Sequence, residues 1–275
     1  MTVIRTRPEQ SREFKNVKYI LTSSMRTMLL LAIYNDSKNL DDLRKDLKKP
    51  SATILHGLKE LETENLVKKV QKYYELTSNG YLLTTNMIKL IENWYAINKN
   101  KEFWDNHDIS DIPEEFIKNI YLLKSANYIS STTSDLSNAY NKYKQLISKS
   151  YELKIILPIY SENHFKLLIK LLKGKQLKSL ELIISKKILH SIKRNNYFNK
   201  QLIKNEKVKI TVVERNLKVF LTCSDKFMSL SMFFKDNHYD DSQILIGNDD
   251  QALNWASNLY NHYGGNDKNE EKWIK

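Results

Sequence analysis

The chain has 275 residues, 41% hydrophobic and 11% aromatic, enough apolar material to bury a core and to build two domains. Its 44 Lys and Arg against 32 Asp and Glu leave a formal charge of +12, a field that attracts polyanions. One cysteine, Cys223, excludes an internal disulfide framework and a thiolate metal site, and is expected as a small buried strand residue. No run approaches the roughly 18 apolar residues of a spanning helix, and the opening MTVIRTRPEQSREF lacks the apolar heart of a secretory signal. The expectation is a cytoplasmic protein that does not contact membranes.

In chain order, Asn16 to Asn35 carries Ile20, Leu21, Met25, Met28, Leu29 and Ala32 close to helical spacing, which predicts one long amphipathic helix. Asn39 to Lys49 puts Leu40, Leu43 and Leu47 on one face. Asp41 and Asp42 fall in its first turn and Lys48 and Lys49 in its last, as the helix dipole favours. Pro50 breaks the chain, and Ser51 is expected to cap a third helix with Ile54, Leu58 and Leu61 turned inward. Two helices about a tight break suggest a helix-turn-helix. Ser51, Thr53, His56 and Lys59 then point outward, short hydrogen-bonding groups and one cation that suit a major groove. Gly57 costs this helix about 1 kcal/mol relative to Ala, and is read either as the close approach of another surface or as simple tolerance.

Leu66 to Val70 and Tyr73 to Leu76 read as two strands around Gln71 and Lys72, a short wing whose Lys68, Lys69 and Lys72 can reach phosphates. With Arg44, Lys48 and Lys49 they complete the candidate DNA-binding set. Thr77 caps the next helix, whose stripe of Leu83, Met87, Leu90, Ile91 and Trp94 is longer than one small domain covers. A second copy of the chain or the second domain is expected to cover it.

These residues carry a resemblance. Ser51, Thr53, Ile54, Leu58, Lys59, Leu61, Leu66, Val67, Tyr74, Leu76, Thr77 and Gly80 fill the pattern of the winged helix-turn-helix in bacterial and archaeal transcription regulators. Asn65 stands where that pattern has Gly, an exchange that fits because Asn also enters left-handed backbone. Two further stretches, around Trp104, His107, Asp108, Ile109, Ile112, Pro113 and Phe116 and around Asp225, Ser229, Leu230, Tyr239, Asp240, Asp249, Ala252, Trp255 and Tyr263, resemble the archaeal methanogenesis-regulator family. The resemblance implies an α+β, two-domain regulator: a winged helix over 1–105, an α/β sensor domain similar to the phospholipase D fold over 106–264, and a polar tail over 265–275. It also implies a sensor pocket where strand ends converge, with Thr222, Asp225 and Ser229 as candidate ligand contacts.

Read from the residues alone, the middle of the chain alternates β-rich runs at 126–132, 153–160, 177–185, 207–214, 218–225 and 227–236 with helical stretches, which implies a sheet with helices packed on it. A phospholipase D enzyme needs His-x-Lys-x(4)-Asp, and no histidine here has it. His238, Asp240 and Asp241 could suggest a metal site, but adjacent carboxylates in a loop are more often solvated or capping groups. No Walker loop or Gly-x-Gly-x-x-Gly supports a nucleotide cofactor. The expectation is a homodimeric, sequence-specific transcription regulator that binds double-stranded DNA and answers a small-molecule effector, without catalytic, metal or cofactor residues. Its competitors are a phosphodiester-cleaving enzyme that uses the winged helix to deliver DNA, and a constitutive architectural DNA binder.

Overall fold

The computed structural model describes residues 12–265. Its first helical stretch is two helices, α1 (Arg12–Leu21) and α2 (Ser24–Ile33), instead of the single one that apolar spacing predicts. The reason lies in the polar run between them. Thr22 Oγ1 donates back to the Lys18 carbonyl, and Ser23 accepts from Arg26 N as the N-cap of α2, so local side-chain bonds compete with helix continuation.

A two-residue strand β1 (Lys38–Asn39) leads into α3 (Leu40–Leu47), where Asn39 and Asp42 form a reciprocal capping box. Lys48 ends α3 in left-handed backbone at φ 53°, so Lys48 and Lys49 follow the last turn instead of forming it. In α4 (Ser51–Thr63) the cap position belongs to Pro50, and Ser51 is the first helical residue rather than the expected cap. Pro50 already has the extended ψ of 145° and the φ of −59° that the entry to a helix requires.

The wing forms as read: β2 (Val67–Val70) and β3 (Tyr73–Leu76) pair antiparallel around Gln71, which is left-handed at φ 57°. Sequence reasoning missed β1, which adds to the far side of β3 and makes a three-stranded sheet in the order β1-β3-β2. Asn65 adopts φ 54° at the place of the usual glycine. A Cβ at Gly57 would lie 2.8 Å from Leu29 Cδ1 and 2.9 Å from Met25 Cγ, so this glycine lets α2 approach α4. Gly80 is tighter still. Thr77 opens α5 (Ser78–Lys99) by accepting from Gly80 N and donating to the Asn65 carbonyl, while its own N–H donates to Leu66 O. A Cβ at Gly80 would meet that Leu66 oxygen at 1.9 Å. Ile20, Leu29, Leu30, Leu43, Ile54, Leu58, Leu61 and Met87 close the core of this unit.

The chain forms two compact units, Met1–Ile91 and Glu92–Lys275, and the division falls within α5. Residues 92–105, read from the sequence as part of the first domain, lie in the second unit, where Ala96 and Phe103 are buried in its core. After α6 (Lys101–Asn106) and α7 (Glu114–Ile117) the elements alternate: β4 (Asn127–Ser130), α8 (Asn138–Ile147), β5 (Glu152–Leu157), α9 (Glu162–Lys173), β6 (Ser179–Ser185), α10 (Lys186–Arg194), the single turn α11 (Asn196–Phe198) and β7 (Val208–Val213). Three antiparallel strands follow, β8 (Val219–Ser224), β9 (Met228–Met232) and β10 (Gln243–Gly247), then α12 (Asp250–Gly265). They build one seven-stranded mixed sheet in the order β4-β10-β9-β8-β5-β6-β7, parallel only across β5, β6 and β7. β10 is the strand of this sheet that sequence reading missed.

Alternation along the strands buries both faces of this sheet. Leu153, Ile155, Leu157, Leu180, Leu182 and Phe220 face one core with α8, α9 and α10, whereas Ile156, Ile183, Leu221 and Cys223 face the other with α12. Cys223 is thus the buried strand residue expected, and burial pushes its thiol up to about 12. No helix among the described residues is long and apolar enough to cross a membrane. The polar tail over 265–275 lies outside the described residues except for Gly265, the last residue of α12.

Candidate nucleic-acid interface and a cavity in the second unit

Ile54, Leu58 and Leu61 anchor α4 in the first core and leave Thr53, His56 and Lys59 exposed, with Ser51 half-buried at the first turn. Leu55 shares the exposed face, so the face is not free of bulky apolar groups as expected; it can offer an apolar contact such as a thymine methyl requires. The angle of α4 is fixed by a polar cluster that sequence reasoning missed. Arg26 of α2, buried to 8% exposure, places Nη1 2.9 Å from Glu60 Oε2 of α4, lays its guanidinium 3.6 Å from the centre of the Tyr19 ring of α1, and donates through Nη2 to the Tyr19 carbonyl. Tyr19 OH donates to the other Glu60 oxygen at 3.1 Å. Burial pushes the Glu60 carboxyl up, but Arg26 and Tyr19 together hold it below its ordinary value. Three helices therefore meet on one carboxylate. His56 Nδ1, one turn away, lies 3.7 Å from Glu60 Oε2 with its ring largely in solvent.

The basic set is less uniform than its count suggests. Lys69 and Lys72 are exposed, with their ammonium groups 5.3 Å and 5.5 Å from the ring centres of Tyr74 and Tyr73. Lys68 instead pairs with Glu75 at 2.8 Å, because the hairpin register sets these two residues opposite each other. That register was readable from a two-residue turn between Val70 and Tyr73. Arg44 reaches Asp41 at 3.3 Å on an exposed surface, a pairing worth little. Lys48 and Lys49 are exposed between α3 and α4.

In the second unit, a cavity of about 290 Å³ opens between α8, the loop from β5 into α9, and the ends of β8, β9 and β10. Ser229 lines it. Thr222 lies directly behind, fully buried, its hydroxyl 3.1 Å from that of Tyr143, which does line it. Asp225 does not reach it. It follows the opposite end of β8 and accepts from Tyr151 N at 2.9 Å, the capping role that a carboxylate after a strand can take. Residues that the sequence did not mark as ligand contacts complete the wall, chiefly Tyr140, Tyr143, His164, Phe220, Tyr239, Asp241 and Gln243. Burial lowers the His164 imidazole to about 4, so it is neutral at pH 7, with Nδ1 3.0 Å from Ser161 Oγ.

The residues weighed as a metal site part company. His238 turns to Asp236 at 3.1 Å, and Asp240 is buried against His107 at 3.0 Å, so neither joins Asp241. No group of His, Cys, Asp and Glu among the described residues is arranged to hold a metal ion.

Two family profiles match the chain, the N-terminal domain of methanogenesis regulatory protein FilR1 at residues 14–94 and the middle domain of the same protein at residues 136–266. The chain is 24% identical over 255 residues to methanogenesis regulatory protein FilR1 of Methanothrix harundinacea (strain 6Ac), covering 90% of this chain and 56% of that protein. It therefore spans little more than half the length of that relative. Among solved structures, TrmBL2, an archaeal chromatin protein whose structure shows a novel mode of DNA binding, superposes with a TM-score of 0.39 and 13% identity over 90% of this chain and 96% of that one. The riboflavin-analogue dimethyltransferase RosA of Streptomyces davawensis superposes at 0.28 and 11% identity over 78% and 68%. Neither superposition defines a shared overall fold. The first profile falls on the winged-helix unit, reaching a few residues past it along α5, and the second falls within the α/β unit, so the chain is similar to methanogenesis regulatory protein FilR1 in both units and in the same order.

Proposed function

We propose that the chain is a sequence-specific, homodimeric DNA-binding transcription regulator, in which α4 reads the major groove, the wing holds the backbone, and the second unit senses a small molecule. The observation that carries the reading is the division of α4: Ile54, Leu58 and Leu61 hold it from inside, Arg26 and Tyr19 fix Glu60 at its flank, and Thr53, His56 and Lys59 are left with no packing role. Base-reading side chains must be both free to meet an edge and fixed in register, and this helix meets both requirements. Lys69, Lys72, Lys48 and Lys49, with Arg44 and Lys68 behind their carboxylate partners, supply the phosphate contacts.

Dimerisation is supported by α5. Met87 of its apolar stripe is buried, but Leu90, Ile91 and Trp94 are 58%, 46% and 66% exposed. Three large apolar side chains clustered within about one turn of a helix mark a contact surface, and a second copy of the same helix is its simplest match. Ligand or partner binding in the second unit then changes the spacing of two winged helices, and only a spacing that fits successive major grooves binds tightly.

The second unit is proposed as phospholipase-D-like in fold and inert in catalysis. His164, Phe165 and Lys166 begin the phosphodiesterase motif, but Leu171 stands where its Asp belongs, and a neutral, buried His164 beside Ser161 has no carboxylate to orient it. A soluble regulator with this chemistry would work in the cytoplasm.

The test is anisotropy titration of the full chain against operator candidates from its own upstream DNA and against random duplex, together with sedimentation. Preference for one duplex, lost in Thr53→Ala/His56→Ala and retained in Lys173→Ala, supports the reading. Uniform affinity for all duplexes would favour the architectural alternative, and cleavage of plasmid DNA the enzymatic one. Leu90→Glu/Trp94→Glu should convert a dimer to a monomer; a wild-type chain that sediments as a monomer at high micromolar concentration would remove the dimer from the proposal.

A further inference from the structure

The cavity in the second unit has a composition at odds with the chain that surrounds it. No Lys or Arg among the described residues lines it, although the protein carries +12. Five rings do, in one connected cluster. The His164 ring lies 5.4 Å from Tyr140, 5.7 Å from Tyr143 and 5.1 Å from Phe220, and Phe220 lies 6.1 Å from Tyr239. The single charge on the wall is Asp241, exposed at the rim near the Tyr239 hydroxyl and in no ion pair among the described residues. On the same wall, Gln243 keeps Oε1 buried with no hydrogen-bond partner. Buried acceptors left unpaired are costly, so this oxygen calls for a donor.

The place of the cavity in the fold also points to binding. It lies beyond the carboxyl end of β5, where the parallel run β5-β6-β7 meets the antiparallel run β8-β9-β10, and α/β sheets bind ligands outside the carboxyl ends of their strands. At about 290 Å³ it is of a size that admits a small molecule.

The classes of ligand can now be separated. A phosphate or carboxylate would face Asp241 with no cation to offset it. A hydrocarbon would leave the buried Gln243 oxygen without a donor. A positively charged nitrogen satisfies all three features at once, since ring faces attract cations, Asp241 balances the charge, and N–H or O–H groups on the ligand reach Gln243. The neutral state of His164 removes the one group that could repel it. From this geometry we infer that the cavity binds a small organic cation, an amine or alkylated ammonium, against the rings of Tyr140, Tyr143 and Tyr239 and the carboxylate of Asp241. This rests on the proposal that the second unit senses an effector, and it names the chemistry of that effector.

The experiment is calorimetric titration of the full-length protein with trimethylammonium, choline and putrescine, and with glycerol and inorganic phosphate as a neutral and an anionic probe of similar size. At least one cation should bind saturably, with affinity reduced about tenfold or more by Asp241→Asn and by Tyr140→Leu, and glycerol and phosphate should bind more weakly than that cation by a similar factor. Asp241 is at the rim and bears no packing, so Asp241→Asn keeps the test valid if Tyr140→Leu fails to fold. Saturable binding of none of the three cations, tighter binding of phosphate or glycerol, or a cation affinity unchanged in Asp241→Asn would overturn the assignment. Anisotropy titration with DNA in saturating cation separates the two claims. A cation that binds and shifts DNA affinity supports both, one that binds and leaves DNA affinity unchanged overturns the regulatory reading alone, and loss of cation binding with DNA binding intact overturns the cavity assignment alone.

Discussion

His107 and Asp240, 133 residues apart, meet inside the second unit with His107 Nε2 3.0 Å from Asp240 Oδ2 and less than 2% of either side chain exposed. The other ring nitrogen lies 2.6 Å from the Phe103 carbonyl, and Asp240 Oδ1 accepts from both the N–H and the hydroxyl of Ser242. Every polar atom of the pair is thus engaged, and the ring stacks on Phe234 with centroids 5.5 Å apart. The pair fastens the end of α6 to the loop between β9 and β10. Removing His107 alone strands a buried carboxylate, so His107→Ala should cost about 3–5 kcal/mol in urea unfolding. The double substitution His107→Leu/Asp240→Leu should cost less than His107→Ala alone; a double that costs as much as the two singles added would show that the two side chains act independently.

The same pair has a pH signature. Burial pushes the Asp240 carboxyl up, but the bonds from His107 and Ser242 outweigh it and hold the carboxyl below its ordinary value. A folded value below the unfolded one contributes stability that is complete above the usual carboxylate range and is lost as pH falls through the folded value. Asp240→Asn should therefore flatten the acid limb of the stability profile, and unchanged slopes in the two proteins would contradict this.

His164 acts over a different window. Its folded value is near 4 and an unfolded histidine titrates near 6.5, so the unfolded chain binds more protons between these limits. Stability should be full above about pH 6.5 and decline toward pH 4, by as much as about 3 kcal/mol from this residue. His164→Gln should remove that decline in thermal denaturation measured from pH 7 to pH 4.

For DNA reading, His56→Ala should lower the preference for a cognate duplex over a random one by roughly 1–3 kcal/mol. Equal losses on both duplexes would refute a reading role for this residue.

Salt separates placed charge from diffuse charge. Each neutralised phosphate contributes about −0.9 to the slope of log K against log salt, so replacing Lys69 and Lys72 should flatten the slope of a dimer by as much as about 4 units. Lys68, already paired with Glu75, should contribute less than either. Replacing Lys173, Lys175 and Lys178 together should leave the slope nearly unchanged, and an equal effect of both sets would mean that the charge is a general coat.

Much of this was legible in the sequence where the signal was local. Spacing of three and four identified α3, α4 and α5, and a two-residue gap between β-rich runs identified the wing. The break between α1 and α2 escaped because apolar spacing continues across Thr22 and Ser23, and only the caps interrupt it. β10 escaped because five residues after a polar loop carry too short a period. What sequence spacing could not supply was coincidence in space: Arg26 with Glu60, His107 with Asp240, and the rings of α8 and α9 with those of β8 and Tyr239. Of the guessed ligand contacts, Ser229 lines the cavity and Thr222 backs it, whereas Asp225 caps the other end of its strand because strand direction, invisible in composition, decides which end faces the cavity.

The way Arg26 and Tyr19 hold Glu60 has an evolutionary consequence. The main contacts that fix α4 come from its inner and lateral faces, and Thr53, His56 and Lys59 lie outside its packed core. Under the proposed reading, substitutions at these three positions alter which duplex is preferred without endangering the domain that carries them, and descendants of one such chain acquire different targets while the scaffold stays unchanged.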